Sequence, residues 1–114
     1  MHSTELLKGT LQTIILKVLA DHERMYGYEI TQKVKELSRD QIQLTEGSLY
    51  PTLHKLEASG LLQTDEVFIG KRKRKYYRLT EQGQGVMSEK VREMGDFIMT
   101  LSRVLNIKPN LSWS

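Results

Sequence analysis

Apolar positions along this chain recur with the three- and four-residue spacing of amphipathic helices. In the first such stretch Thr10 is a candidate N-cap, and the apolar side chains that follow it share one broad face: Leu11, Ile14, Ile15, Val18 and Leu19. Leu16 extends this face around much of the helix. Because a chain of 114 residues builds only a small core, we expect part of the face, including Leu11 and Ile15, to contact a second chain. Residues 1–9 are weakly patterned and expected to fray, with Leu6 and Leu7 as candidate anchors.

A second amphipathic stretch predicts a helix from about residue 25 to residue 38. Its inward stripe would be formed by Ile30, Val34 and Leu37. Beyond it, Ile42 and Leu44 alternate with two glutamines, a pattern that predicts a short strand paired with a later hairpin.

The third helical stretch lies within the sequence LTEGSLYPTLHKLEASGLL, which starts at residue 44. One side is an apolar stripe, and on or near the opposite side lie Tyr50, Pro51, His54 and Lys55. Thr45 and Ser48 are both candidate N-caps, so the sequence leaves open at which of the two this helix starts. A start at Ser48 places Pro51 in the first turn, whereas a start at Thr45 should bend the helix at Pro51. Gly60 is the expected C-terminal cap.

A β-hairpin is predicted next, from an extended stretch ending at Phe68, a turn at residues 69–70 and a β-rich run at 76–79. Six of the 17 basic residues fall between positions 71 and 78, where no acid occurs. Five of them are consecutive: Lys71, Arg72, Lys73, Arg74 and Lys75. A concentrated positive patch suits a phosphate backbone, although the same run also fits a solvated loop. Of the adjacent Tyr76 and Tyr77, one should point inward.

The last amphipathic stretch follows Thr80, another candidate N-cap. Its apolar residues are spaced alternately by four and three, as in a short helix–helix seam: Met87, Val91, Met94, Ile98, Leu101 and Leu105. We expect this seam to dimerise the chain, because the small core covers only part of so long a helix. Methionines beside Phe97 also suit an aromatic or apolar effector at the dimer interface, although plain core packing gives the same stripe. Residues 107–114, with Trp113, form a tail without a predicted element.

Several kinds of chemistry have no support in the sequence. There is no cysteine, and the three histidines are far apart with no carboxylate at ligand spacing, so no metal site, cofactor or disulfide is expected. Phosphate-binding loops and a nucleophile elbow are missing as well, which argues against an enzyme. The apolar runs near the start are too short for a signal peptide or membrane span, which favours the cytoplasm. Membrane-surface binding by the cationic hairpin is disfavoured because no apolar face accompanies it.

Nucleic-acid binding is well supported. A helix N-terminus carrying Thr45 and Ser48 suits a phosphate, and Tyr50, His54 and Lys55 are able to reach base edges or backbone oxygens. A helix followed by a hairpin with a basic tip is typical of a winged-helix protein. The predicted fold is therefore mainly α with a small β-hairpin: a winged helix-turn-helix with N-terminal and C-terminal dimerisation helices.

The segments GTLQTIILKVLA, YGYEI, LTEGSLYPTLHKLEASGLL and GKRKRKYYRLTEQG together resemble the PadR family of bacterial transcriptional regulators. The resemblance runs from about residue 6 to residue 83. With one C-terminal helix, the chain resembles the short branch of the family. It implies a homodimer that binds double-stranded DNA and represses a nearby promoter until a small molecule or stress signal relieves the repression. It also implies DNA contacts at Ser48, Tyr50, Pro51, His54 and the basic wing. This wing departs from many members in being nearly all cations, which would strengthen phosphate contact at the expense of sequence discrimination.

Three parts of the chain follow from this reasoning: a winged-helix DNA-binding domain at 1–80, a dimerisation helix at 81–106 and a tail at 107–114. The alternative is a winged-helix module that binds RNA or a protein partner without an operator.

Overall fold

A computed structural model describes residues 4–108 as five helices and three strands. In chain order these are α1 (Thr4–Lys8), α2 (Leu11–Ala20), β1 (Met25–Tyr26), α3 (Gly27–Leu37), α4 (Glu46–Ala58), β2 (Leu62–Ile69), β3 (Arg72–Leu79) and α5 (Glu81–Leu105). The mainly helical architecture with a small antiparallel sheet confirms the predicted fold class. Trp113 and the rest of the predicted tail beyond residue 108 lie outside the described residues.

The core is formed where α2, α3 and α4 meet the sheet and the start of α5. Its fully buried large side chains are Ile15, Leu16, Leu19, Ile30, Leu49, Leu53, Leu56, Leu62 and Tyr77. Ile15 is 0% exposed and Met87 only 7%, because both pack into this core. Neither side chain therefore has surface left for a partner in this conformation, which corrects their predicted place in a dimer interface.

The sheet has the strand order β1-β3-β2, with all neighbours antiparallel. The two-residue strand β1 pairs Met25 with Tyr77 and Tyr26 with Tyr76. The strand predicted around Ile42 and Leu44 is wrong, since no strand occurs there. In its place, the backbone N–H of Ile42 donates to the hydroxyl of Ser38 at 2.9 Å, which holds this segment as a loop.

Several element ends differ from their predictions. Helix α3 starts at Gly27 because the two preceding residues belong to β1. Leu37 ends α3 66% exposed and does not join the inward stripe. The hairpin turn lies at residues 70–71, one residue later than predicted, because Ile69 still pairs with Arg72. Gly70 supplies the positive φ of +65° that this turn needs.

Helix α4 begins at Glu46, with Thr45 as its N-cap. Pro51 is therefore a sixth helical residue, and the helix continues through it to Ala58. The backbone bond that proline removes is the one to Gly47, an exposed residue near the helix start, so water can hydrate that carbonyl. Gly60 follows the helix with a φ of +79°, as a C-terminal cap residue does.

Helix α5 is anchored at its start and extends well beyond the core. The Thr80 side chain accepts from the Gly83 N–H at 3.0 Å, which confirms the predicted N-cap, and its hydroxyl donates to Gly60 O at 2.7 Å. Its 25 residues give a length of about 37 Å, and the molecule measures 55 × 29 × 28 Å. Among residues 4–108, no helix combines the length and apolarity required for a membrane span.

Candidate nucleic-acid interface

Helix α4 presents one exposed polar face, opposite the leucines that it buries. Tyr50, Pro51, His54 and Lys55 are all exposed on it, as the spacing predicts. Leu49, Leu53 and Leu56 are buried within the core on the other side. The burial of one stripe therefore fixes which side chains the helix offers to a ligand.

The N-terminus of α4 is closed by a reciprocal cap. Ser48 N donates to Thr45 Oγ1 at 3.2 Å, and Thr45 N donates to Ser48 Oγ at the same distance. The Ser48 hydroxyl also donates to Thr45 O at 3.0 Å, so both side chains are engaged within the cap. What this terminus offers an anion is chiefly the backbone N–H groups of Glu46 and Gly47, the first two residues of the helix.

Tyr50 packs on the start of α3, whereas the sequence leaves open packing against the hairpin. A Cβ at Gly27 would lie 2.8 Å from Tyr50 Cζ, so the ring rests directly on the glycine backbone. The ring centroid of Tyr50 is 6.5 Å from that of His54. Glycine at position 27 thus lets Tyr50 lie close to α3 with its side chain still partly exposed.

Three cations of β3 are paired with acids of β2 or α4. Lys73 Nζ lies 3.3 Å from Glu66 Oε2, Lys75 Nζ lies 3.5 Å from Glu57 Oε1, and Arg78 Nε lies 3.2 Å from Asp65 Oδ2. The basic run is thus less uniform than the sequence indicates, because β2 and α4 bring carboxylates beside it.

We call the hairpin of β2 and β3 the wing. Its other three cations have no carboxylate within ion-pair distance among residues 4–108. Lys71 and Arg72 are exposed at the tip of the hairpin. The Arg74 guanidinium lies 4.0 Å from the centroid of the Tyr26 ring. A side-chain hydrogen bond with Tyr76 raises the pKa of Arg74, and it remains cationic under all ordinary conditions.

The α4 face and the wing border one open groove of about 460 Å³. Tyr50 and His54 line it from the helix, Arg72 and Arg74 line it from β3, and Tyr26 lines it from β1. Aromatic side chains and cations therefore share a concave surface that suits a nucleic-acid strand. Tyr77 also borders this groove but is 1% exposed, so it is the inward member of the adjacent tyrosine pair. Its burial raises the pKa of the phenol.

Sequence reasoning missed Tyr26, Arg24 and the two apolar residues at the wing tip. The Tyr26 ring meets Tyr76 edge-on at 5.5 Å, and Arg24 lies 4.7 Å from the centroid of the Tyr76 ring. A two-residue strand gives no alternation by which to detect this arrangement. Phe68 and Ile69 are exposed beside the cations, so the tip is not purely polar as the sequence argument against membrane binding assumes.

A second surface lies on α5. Beyond the core, the predicted seam is partly or largely exposed at Val91, Met94, Ile98, Leu101 and Leu105. Leu11 of α2 is half-buried beside the core. The groove between α2 and α5 has a volume of about 360 Å³ and is mostly apolar, with Ile14, Met94 and Ile98 among its lining residues. This surface is separate from the α4–wing groove and shares none of its lining residues.

Comparisons with known proteins identify the family. The Transcriptional regulator PadR-like family matches residues 15–89. Transcriptional regulator Rv3488 of Mycobacterium tuberculosis is 39% identical over 85 residues, which cover 75% of this chain and 76% of that protein.

Solved structures agree with this match. A PadR family transcriptional regulator from Eggerthella lenta has a TM-score of 0.79 and 30% identity, covering 91% of this chain and 88% of that one. A PadR-like transcriptional regulator from Bacillus cereus has a TM-score of 0.75 and 28% identity, covering 92% of this chain and 100% of that one. The winged-helix fold and the expectation of a regulator in place of an enzyme are thereby confirmed. The chain belongs to the PadR-like family of transcriptional regulators.

Proposed function

We propose that this regulator is a homodimeric repressor that binds a palindromic DNA operator and leaves it when a small molecule or stress signal acts. Residues 1–80 would bind the DNA, and residues 81–106 would join the two chains. The cytoplasm is its proposed location, because the operator lies there.

One observation carries the DNA-binding part of this proposal: the exposed α4 face and the wing cations border a single groove. Side chains at Tyr50, His54 and Lys55 would contact base edges or nearby phosphates in the major groove. The wing tip, with Lys71 and Arg72, would contact the adjacent backbone. The capped N-terminus of α4 would direct its first backbone N–H groups at a phosphate.

Dimerisation is supported by the exposed seam of α5. Ile98 and Leu101 are each 39% exposed on a helix that extends past the core, and Leu105 is more exposed still. A contiguous apolar surface of this kind usually marks an interaction site. Two linked winged helices would bind two half-sites together, which raises the affinity through effective concentration.

An effector is proposed for the apolar groove between α2 and α5. Met94 and Ile98 line it together with Lys17, whose ammonium is paired with Asp21 at 3.2 Å. A ligand there would shift the packing of α5 on α2 and so change the spacing of the two DNA-binding faces. Planar aromatic compounds should raise the melting temperature and weaken DNA binding. Thermal shifts without a change in DNA binding would leave a pocket that has no regulatory role.

The competing function is a winged-helix module that binds RNA or a protein partner. Selection of duplexes from a random-sequence DNA library with the wild-type protein distinguishes the operator-binding function from this alternative. We expect a palindromic DNA sequence to emerge and to bind more tightly than the RNA duplex of the same sequence. Failure to enrich any DNA sequence, or equal binding of the RNA, would favour the alternative.

A further inference from the structure

Arg74 lies closer to an aromatic ring than Lys73 and Lys75, the other two wing cations found over rings, which are 5.8 Å from Phe68 and 5.4 Å from Tyr77. Its guanidinium lies 4.0 Å from the Tyr26 centroid, a distance at which a planar guanidinium stacks on an aromatic face. Lys73 and Lys75 are paired with carboxylates, whereas Lys71 and Arg72 are exposed. Arg74 therefore has no carboxylate at ion-pair distance among residues 4–108, and it also has a defined position over Tyr26.

Tyr26 is itself held from several directions. Its Cα pairs with Tyr76 across β1 and β3, and its ring contacts the Tyr76 ring edge-on at 5.5 Å. The backbone N–H of Tyr26 donates to Glu29 Oε1 at 3.1 Å, at the start of α3. The ring of Tyr28 stacks near it at 6.4 Å. The ring beneath Arg74 is thus fixed to both the sheet and α3.

Arg74 and Tyr26 both line the groove that α4 borders with Tyr50 and His54. A guanidinium stacked through one face keeps N–H donors at its edge, in the planar fork that matches two phosphate oxygens. One donor bonds Tyr76, and the stacking leaves the other N–H donors of the guanidinium available beside the helix that we propose contacts bases.

We propose that Tyr26 is a positioning residue for DNA binding, which holds Arg74 where its guanidinium donates to an operator phosphate beside the bases contacted by α4. This inference rests on the proposed function. Because the side chain is ordered before binding, less conformational entropy is lost when the contact forms. Ordering a long side chain only on binding lowers the affinity by about twofold to tenfold. Tyr26 avoids this loss by holding Arg74 in place beforehand.

A double-mutant cycle on the enriched palindromic duplex tests the proposal. Tyr26→Leu removes the aromatic face and should weaken binding by about fivefold to tenfold, whereas Tyr26→Phe should stay within about twofold. In an Arg74→Ala background, Tyr26→Leu should have no further effect. Equal weakening by Tyr26→Leu with and without Arg74 would overturn the proposal, because Tyr26 would then act by another route.

Two further measurements separate positioning from a general effect on folding. The Nε–H group of Arg74 should be ordered in NMR relaxation of the free wild-type protein and mobile in Tyr26→Leu; equal mobility in both would overturn the proposal. Arg74→Lys should lose nearly as much affinity as Arg74→Ala, while the control Arg72→Lys should bind like wild type. If Tyr26→Leu does not fold, the affinities of Arg74→Lys and Arg72→Lys test the proposal instead. Wild-type affinity in Arg74→Lys would contradict it.

The proposed function fails in a different way. If the wild-type protein enriches no duplex, the repressor assignment is lost, whereas the order of Arg74 in the free protein is still measurable. If the wild type binds its duplex and the Tyr26 variants bind equally well, only the positioning role is lost.

Discussion

Lys75 of β3 and Glu57 of α4 form an ion pair that links the wing to the proposed recognition helix, with Nζ 3.5 Å from Oε1. The other oxygen of Glu57 accepts from the Thr64 hydroxyl at 3.1 Å, so this carboxylate joins α4 to both strands of the hairpin. Both partners of the pair are partly exposed, and such pairs contribute about 0–1 kcal/mol. Its main consequence is electrostatic, because it reduces the positive charge that Lys75 offers to DNA.

The salt dependence of binding should therefore differ among the wing cations. Lys71→Ala and Arg72→Ala should each reduce the slope of log affinity against log salt by about 0.9, because each removes one phosphate contact. Lys73→Ala and Lys75→Ala should reduce it less, since each leaves an acid that the lysine had neutralised. Binding isotherms at several salt concentrations measure these slopes. Equal slopes for all four variants would mean that the ion pairs open when DNA binds.

His54→Ala should change sequence preference, since His54 is exposed on the face of α4 that we propose contacts bases. Its loss should relax discrimination at particular base pairs by about 1–3 kcal/mol. The matched control is Arg72→Ala, which should weaken binding to all duplexes alike. A library selection with each variant provides the comparison. Uniform weakening by His54→Ala would make this residue a backbone contact only.

Gly83→Ala should destabilise the fold, because a Cβ at this position would collide with the carbonyl oxygen of Leu61. The overpacking should cost about 1–3 kcal/mol in the free energy of unfolding. Gly85→Ala is the control: nothing lies within 4 Å of its Cβ, and better helix propensity should raise stability by up to about 1 kcal/mol. Urea denaturation measures both. A neutral Gly83→Ala would show that α5 moves away from Leu61 at no cost.

Charging the exposed seam of α5 should abolish the dimer. Ile98→Glu with Leu101→Glu would place four carboxylates in the proposed interface, a cost of several kcal/mol. Thr100→Glu is the control, because residue 100 is about 200° around the helix from residue 98. Sedimentation should show a monomer for the double variant and a dimer for the control. A double variant that stays dimeric with full DNA affinity would remove the seam from the interface.

The sequence predicts most of the long helices and the hairpin, because their apolar stripes are regular and their caps are local. It fails at β1, where two residues are paired only through contact with Tyr76 and Tyr77. The alternation at Ile42 and Leu44 predicts a strand, but both side chains are half-buried against the core from a loop. Strand pairing and loop packing are tertiary effects, and short patterns do not encode them.

In the candidate site as well, some features are predicted by the sequence and others depend on tertiary packing. Exposure of Tyr50, Pro51, His54 and Lys55 follows directly from the leucine stripe opposite them. The partners of Lys73 and Lys75 do not follow from the cationic run, because Glu66 and Glu57 come from other elements. The full burial of Ile15 also depends on how α2 packs, and no pattern within α2 distinguishes a core contact from a partner contact.

Hydroxyl-radical footprinting of the wild-type protein on its enriched duplex tests the central claim most directly. A homodimer that inserts one α4 helix per half-site should protect two symmetric segments, centred about one helical turn or a multiple of it apart. The wing should add protection of the backbone beside each segment, and that addition should weaken in Arg72→Ala. One asymmetric protected segment, or uniform protection along the whole duplex, would contradict a two-fold operator-binding regulator.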